Sequence, residues 1–134
     1  MFVTKVEGVP ETLARLDRHN HAIARGVENA VKAVGLFLER ESMIICPIDT
    51  GVLRGGAFSR LMSGSGFDTR VEVGYMASYA VYVHENLTNY HKPPTTAKFL
   101  ERPAREQVPE MQSIARRHVR NSHIRFQWNS GGSP

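Results

Sequence analysis

The sequence predicts an α+β domain: a long N-terminal helix and a C-terminal helix packed on a small antiparallel β-sheet. Three observations carry that expectation. Apolar residues recur at helical spacing from Leu13 to Ile45, two short alternating segments flank a Ser-Gly-Ser-Gly loop, and a second helical pattern follows a proline-bearing stretch in the last third.

Taken in order, residues 2–7 (Phe-Val-Thr-Lys-Val-Glu) alternate weakly, as a short strand would. Pro10 suits a first helical turn, because the N–H it lacks would have no partner there, and Glu11 follows at the positive end of the helix dipole. Leu13, Leu16, Ile23, Val27, Ala30, Val31, Val34, Leu38 and Ile45 fall on one face, with Arg15, Arg18, Arg25, Lys32, Glu39 and Arg40 on the other. Cys46-Pro47 ends the helix, since a residue before proline is pushed out of the α region. A helix of roughly 35 residues is about 50 Å long, which is long for a chain of 15.0 kDa. Gly26 and Gly35 each cost about 1 kcal/mol against alanine in such a helix, so they mark a bend or a close approach by another backbone. So long a stripe needs a long partner, and a second subunit is one source of it.

Pro47 to Arg54 is a structured turn by composition. Asp49 offers a carboxylate to backbone N–H groups two or three residues on, and Gly51 permits a backbone angle that other residues resist. Gly56–Met62 and Thr69–Tyr75 read as two strands, the second with Val71, Val73 and Tyr75 on one face. Ser63-Gly64-Ser65-Gly66 is the loop of a hairpin. Ala77–Asn86 fits helix and strand equally well. Residues 87–98 hold Pro93-Pro94 and form a loop long enough to suspect a role. The last helix starts near Phe99 or Pro103, with Ala104, Val108, Met111, Ala115 and Val119 along one side, and Pro109 kinks it or begins a new segment. The expected organisation is one domain over residues 1–120 and a basic, flexible tail over 121–134.

Composition narrows the class. The chain has 134 residues, 41% apolar and 22% charged, which is ordinary for one globular domain. No apolar run of about 18 residues exists to span a membrane. The Met1-Phe2-Val3-Thr4-Lys5 start lacks the layout of a signal peptide. One cysteine, Cys46, excludes an internal disulfide and most zinc frameworks, so the chain reads as cytosolic in origin. Of 17 basic and 13 acidic residues, all the excess lies at the end: residues 111–134 hold Arg116, Arg117, Arg120 and Arg125 and no acid. A basic end on a neutral body points to a polyanion or an acidic neighbour; a merely solvated tail has the same composition.

No catalytic, metal or cofactor set stands out. Asp49-Thr50-Gly51 matches the triplet of aspartic proteases, in whose retroviral-type dimers two such aspartates share a proton, but that triplet belongs after a strand in an all-β chain. Cys46 has no local base to activate it. None of His19, His21, His84, His91, His118 and His123 pairs with another at the i,i+4 spacing of zinc helices. Arg116, Arg117 and Arg120 share a helical face suited to a DNA backbone, without a motif for reading bases. From residues alone the reading is a non-enzymatic structural or binding protein, with a small basic nucleic-acid-binding protein and, remotely, the protease as alternatives.

A set of short motifs goes further. Cys46-Pro-Ile-Asp-Thr-Gly-Val-Leu-Arg54, Val71-Glu-Val-Gly74, Tyr79-Ala-Val-Tyr-Val-His-Glu85, Lys92-Pro-Pro and Phe99-Leu-Glu-Arg-Pro-Ala104 occur in this order. Together they resemble the small head–tail joining proteins of tailed bacteriophages, also called tail-completion, neck or minor capsid proteins, over residues 11 to about 118. Val81 stands where that family often has proline, His84 precedes the glutamate, and Asn86-Leu87 replaces a glycine. The resemblance implies a virion protein without enzymatic activity or cofactor, present in the host cytoplasm during assembly. It would form a ring, most simply a hexamer, in the phage neck between the connector or adaptor and the tail tube or tail terminator. It also implies a structural turn at Asp49, Thr50 and Gly51 that feeds Leu53 and Arg54 into the sheet. Subunit contacts would come from Ile23, Val27, Val34 and Leu38 on the helix stripe and from Tyr79, Tyr82, Glu85, Tyr90, Pro93, Pro94, Phe99 and Leu100. Arg116, Arg117, Arg120 and Arg125 would face genomic DNA, without reading sequence, or an acidic adaptor.

Overall fold

The computed structural model describes residues 9–48, 51–88 and 92–131, with side chains omitted for Val9 and for 123–131. The expected strand at residues 2–7 lies outside the described residues. Helix α1 spans Val9–Ile45, α2 Val52–Gly55, strand β1 Ala57–Ser63, β2 Arg70–Tyr75, α3 Ala80–Glu85, α4 Glu101–Glu106 and α5 Val108–Gly131, with one 3₁₀ turn at Gly66–Asp68 between the strands. This is the expected α+β class: a long first helix, a C-terminal helix and a two-stranded antiparallel sheet.

At about 1.5 Å per residue, α1 is some 55 Å long, and it is flanked on two sides. Gly26 faces α5: a Cβ built there would lie 2.8 Å from Ser122 Cβ and 3.3 Å from Val119 Cα. Gly35 faces the hairpin, where a Cβ would lie 2.7 Å from both Ser59 Oγ and Val71 Cγ1. Both glycines therefore mark close approaches. With Phe99 packed beside Cys46 and Ser122 beside Gly26, α5 runs back along α1 in the opposite direction. Its inner face carries the half-buried Ile114, Ala115, His118 and Val119, while Arg116, Arg117 and Arg120 look outward.

The hairpin pairs Ala57 with Tyr75, Phe58 with Gly74, Ser59 with Val73, Arg60 with Glu72 and Leu61 with Val71, with a bulge between Leu61 and Ser63. Alternation turns Ser59 and Val71 toward α1, so Phe58, Arg60, Glu72 and Gly74 occupy the opposite face. Glu28 ties the loop end down: its carboxylate accepts the Gly66 N–H at 3.2 Å and a Lys32 bond at 2.8 Å. Lys32 and the Gly66 N–H together lower the pKa of that carboxyl.

Several local outcomes refine the sequence reading. Ala77–Asn86 resolves as helix over Ala80–Glu85. Gln107 interrupts the last helix, and Pro109 lies in the first turn of α5, where a missing N–H costs nothing. Helix α5 runs on to Gly131, through residues assigned to a flexible tail from composition.

Replacing Gly26 with Ala is expected to destabilise the protein by about 1–3 kcal/mol, because overpacking outweighs the better helix propensity. A Cβ at Gly55 meets nothing within 4 Å, so Gly55→Ala should leave stability unchanged or higher. Denaturant melts of the two variants check this contrast.

Candidate functional site

The C-terminal end of α1, helices α2 and α3, and residues 97–100 converge on one small core. Cys46, Leu53, Ala80 and Phe99 are buried there, with Ile45, Tyr75, Ala77, Val83 and Leu100 packed around them. Phe99 is only 1% exposed and stands edge-on between Tyr75 and His84, each ring centroid 5.0 Å away. The Tyr75 hydroxyl shares a 2.6 Å hydrogen bond with the buried Ser42. Burial pushes up the pKa of both the Cys46 thiol and the Tyr75 hydroxyl.

Leu53 and Arg54 do not lead directly into the sheet, as the resemblance implied; they lie in the one-turn helix α2. Gly51 precedes it at φ 83°, in the left-handed region that favours glycine. Asp49 and Thr50 lie outside the described residues. Leu53 anchors α2 in the core, and this points Arg54 back at α1. Its guanidinium donates to the carbonyls of Cys46 at 2.6 Å and Ile44 at 3.5 Å. The last carbonyls of a helix have no intrahelical partner, and the helix dipole makes that end negative, so a cation there is doubly favourable.

A charged network joins α3 to the start of α4. His84 Nε2 accepts the Glu101 N–H at 3.2 Å, so in the neutral ring the proton is on Nδ1, which donates to Glu85 Oε1 at 2.7 Å. Lys98 bonds Glu85 and lies 3.0 Å from Glu101, which also pairs with Arg105 at 2.6 Å. Lys98 has φ 57°, uncommon for a residue with a side chain, and its N–H donates to the His84 carbonyl at 2.8 Å. Lys98 lowers the pKa of both carboxyls, and they raise its own. The donor atoms of His84, Glu85 and Glu101 lie within 4.8 Å of one another, a spacing a metal ion accepts. The Lys98 ammonium supplies the positive charge of this cluster, and both histidine nitrogens are engaged.

Large apolar side chains stand exposed on the elements that build this core. Each exposed residue neighbours a core residue in sequence: Ile44 beside Ile45, Val52 beside Leu53, Met76 beside Tyr75, Tyr79 and Val81 on either side of Ala80, and Tyr82 beside Val83. Val81 is 73% exposed and Tyr82 65%. An open groove of about 210 Å³ runs between α3 and residues 99–100, lined by Tyr75, Ala80, Val81, His84, Glu85, Phe99 and Leu100.

The residues singled out for subunit contact divide accordingly. Tyr79, Tyr82, Glu85, Pro93 and Pro94 are exposed, and Tyr90 lies outside the described residues. Ile23, Val27, Val34 and Leu38 are half-buried along α1. Phe99 is 1% exposed and packs chiefly in the chain's own core, where it backs the groove, while Leu100 is half-buried on the groove wall. Arg116, Arg117 and Arg120 are exposed on α5, and the Arg125 side chain lies outside the described residues. Sequence reasoning missed Lys98, His84 and Glu101. The i,i+3 spacing of Lys98 and Glu101 was the one signal available.

No family model, curated protein or solved structure matches the chain.

Replacing Arg54 with Met keeps most of the stem but leaves the α1 carbonyls unbonded, and should cost about 1.5–3 kcal/mol in a denaturant melt. The network makes a pH prediction of definite sign. The lowered carboxyl pKa values contribute stability above the ordinary carboxylate range, which disappears as pH falls through the lowered values. The raised Lys98 pKa contributes stability below the ordinary lysine value of about 10.4, lost as pH climbs past it. The midpoint should therefore be flat near neutrality and fall at both extremes, and Lys98→Met should shrink both falls.

Proposed function

We propose that this chain is a non-enzymatic assembly protein that joins copies of itself and other virion components in the neck of a tailed bacteriophage. In this reading it forms a ring, most simply of six subunits, between the head connector and the tail. The observation that carries it is the set of large apolar side chains exposed around the small core. Ile44, Val52, Met76, Tyr79, Val81 and Tyr82 stand out from structured elements whose inner residues are already packed. Exposed apolar side chains on elements that converge on one core give another protein a surface to dock on. The motif order from Cys46 to Ala104 supplies the identity of the partners.

The aspartic-protease alternative loses its setting, because the Asp-Thr-Gly triplet follows a 37-residue helix instead of a strand. The nucleic-acid alternative retains one supporting observation: Arg116, Arg117 and Arg120 are exposed on one side of α5, and among the described residues no carboxylate pairs with them. Within the assembly reading, the same arginines face packaged DNA or an acidic neighbour through charge alone.

The test is assembly. Purified protein, alone or with phage connectors and tails, should form rings visible by electron microscopy and by sedimentation. Val81→Asp and Tyr82→Asp alter exposed positions and should leave stability within about 0.5 kcal/mol while abolishing ring formation or docking. Tight, salt-dependent DNA binding by a monomer that never assembles would decide for the nucleic-acid reading instead.

A further inference from the structure

The assembly reading leaves open which contact joins one copy to the next. Both outer edges of the hairpin are candidates: the sheet has two strands, and among the described residues no other strand pairs with either edge. An unpaired edge presents a row of N–H and C=O groups that template another strand. A lone two-stranded ribbon is also marginal, and each added strand stabilises it.

We propose that β2 of one copy pairs with β1 of the next, antiparallel and in the register used within the chain, so that the hairpins form one continuous intersubunit sheet. This rests on the assembly reading above and names its contact. The charge pattern selects the occupant. Arg60 pairs with Glu72 across the hairpin at 3.0 Å, on the face turned away from α1. Repeating that register places each Glu72 between its own Arg60 and the Arg60 of the next copy, so charges alternate in sign across the sheet. Phe58 of the next copy would likewise lie beside Gly74, as it does within the chain, where Phe58 covers the glycine and Arg60 lies 4.8 Å above its ring.

The symmetric alternatives lack this match. A two-fold β1–β1 contact centred on Arg60 sets arginine against arginine, and a β2–β2 contact centred on Glu72 sets glutamate against glutamate, which destabilises a cross-strand pair. The bulge at Leu61–Ser63 limits the pairable stretch to Ala57–Leu61 against Val71–Tyr75, five positions long. A contact between two different edges is head-to-tail, and head-to-tail contacts close into rings when the rotation allows.

Two charge reversals test this. Arg60→Glu and Glu72→Arg each put like charges at every copy-to-copy junction, and each should weaken self-association about tenfold or more. The side chains are 61% and 40% exposed, so thermal melts should show both variants folded. An equimolar mixture of the two should regain ring formation. When the variants alternate around the ring, the carboxylate introduced at position 60 of the first meets the guanidinium introduced at position 72 of the second. At the other junctions the unaltered Arg60 of the second variant meets the unaltered Glu72 of the first. The pair within every chain stays repulsive, so only the junctions are repaired. As a measurement on unaltered protein, backbone amides of β1 and β2 should gain hydrogen-exchange protection in the ring.

Wild-type rings with either single variant assembling normally, a mixture no better than its components, or edge amides unprotected in the ring would overturn this contact and leave the assembly reading standing. Wild-type protein that stays monomeric with connectors and tails would overturn both.

Discussion

The fold depends on how closely α1 lets its neighbours approach. At Gly26 the Ser122 side chain of α5 comes near enough to leave no room for a Cβ, and at Gly35 the hairpin side chains Ser59 and Val71 do the same from another side. Each glycine weakens the helix by about 1 kcal/mol in isolation, and the chain tolerates two because intimate packing on both flanks depends on them. A single long helix thus acts as a spine, with α5 and the sheet each leaning on it and scarcely on each other. The remaining helices gather at its C-terminal end, where Arg54 and the buried Phe99 fasten them.

That division explains where interaction surface is available. A chain of this size that devotes 37 residues to one rod has too little left to wrap it. Its small core at one end has a single shell of partners, and the next residue along each element already faces outward. Among the described residues no third strand pairs with the sheet, and α1 packs on one of its faces. Such a layout leaves apolar and hydrogen-bonding capacity unspent, which suits a part whose surroundings are other copies and other proteins.

Much of this architecture was legible in the residues. Pro10 and Cys46-Pro47 bracket α1 to within a residue, because proline acts on local backbone geometry that needs no tertiary context. The Ser63–Gly66 loop and the alternation of Val71, Val73 and Tyr75 place the hairpin for the same reason. What stayed hidden depends on distant partners. Ala77–Asn86 satisfies both periodicities, and only the packing of Ala80 and Val83 on Phe99 makes it a helix. The bond between Lys98 and Glu85 spans 13 positions, and no local pattern announces it. Phe99 looked like a surface contact because motif position says nothing about depth. Helix α5 continues past Arg120 into a segment ending in Asn129-Ser130-Gly131, whose small and polar residues resemble a tail by composition.

Cys46 gives this molecule a built-in reporter. The sole thiol in the chain is wholly enclosed, and its proton is held more firmly than usual. Reagents attack the thiolate, so alkylation has to wait until the base of the spine breathes open. The labelling rate therefore clocks local opening at that end alone, separately from fraying where α5 terminates. Followed in the free protein and under the proposed assembly conditions, that clock registers whether a bound partner holds this end of the helix shut.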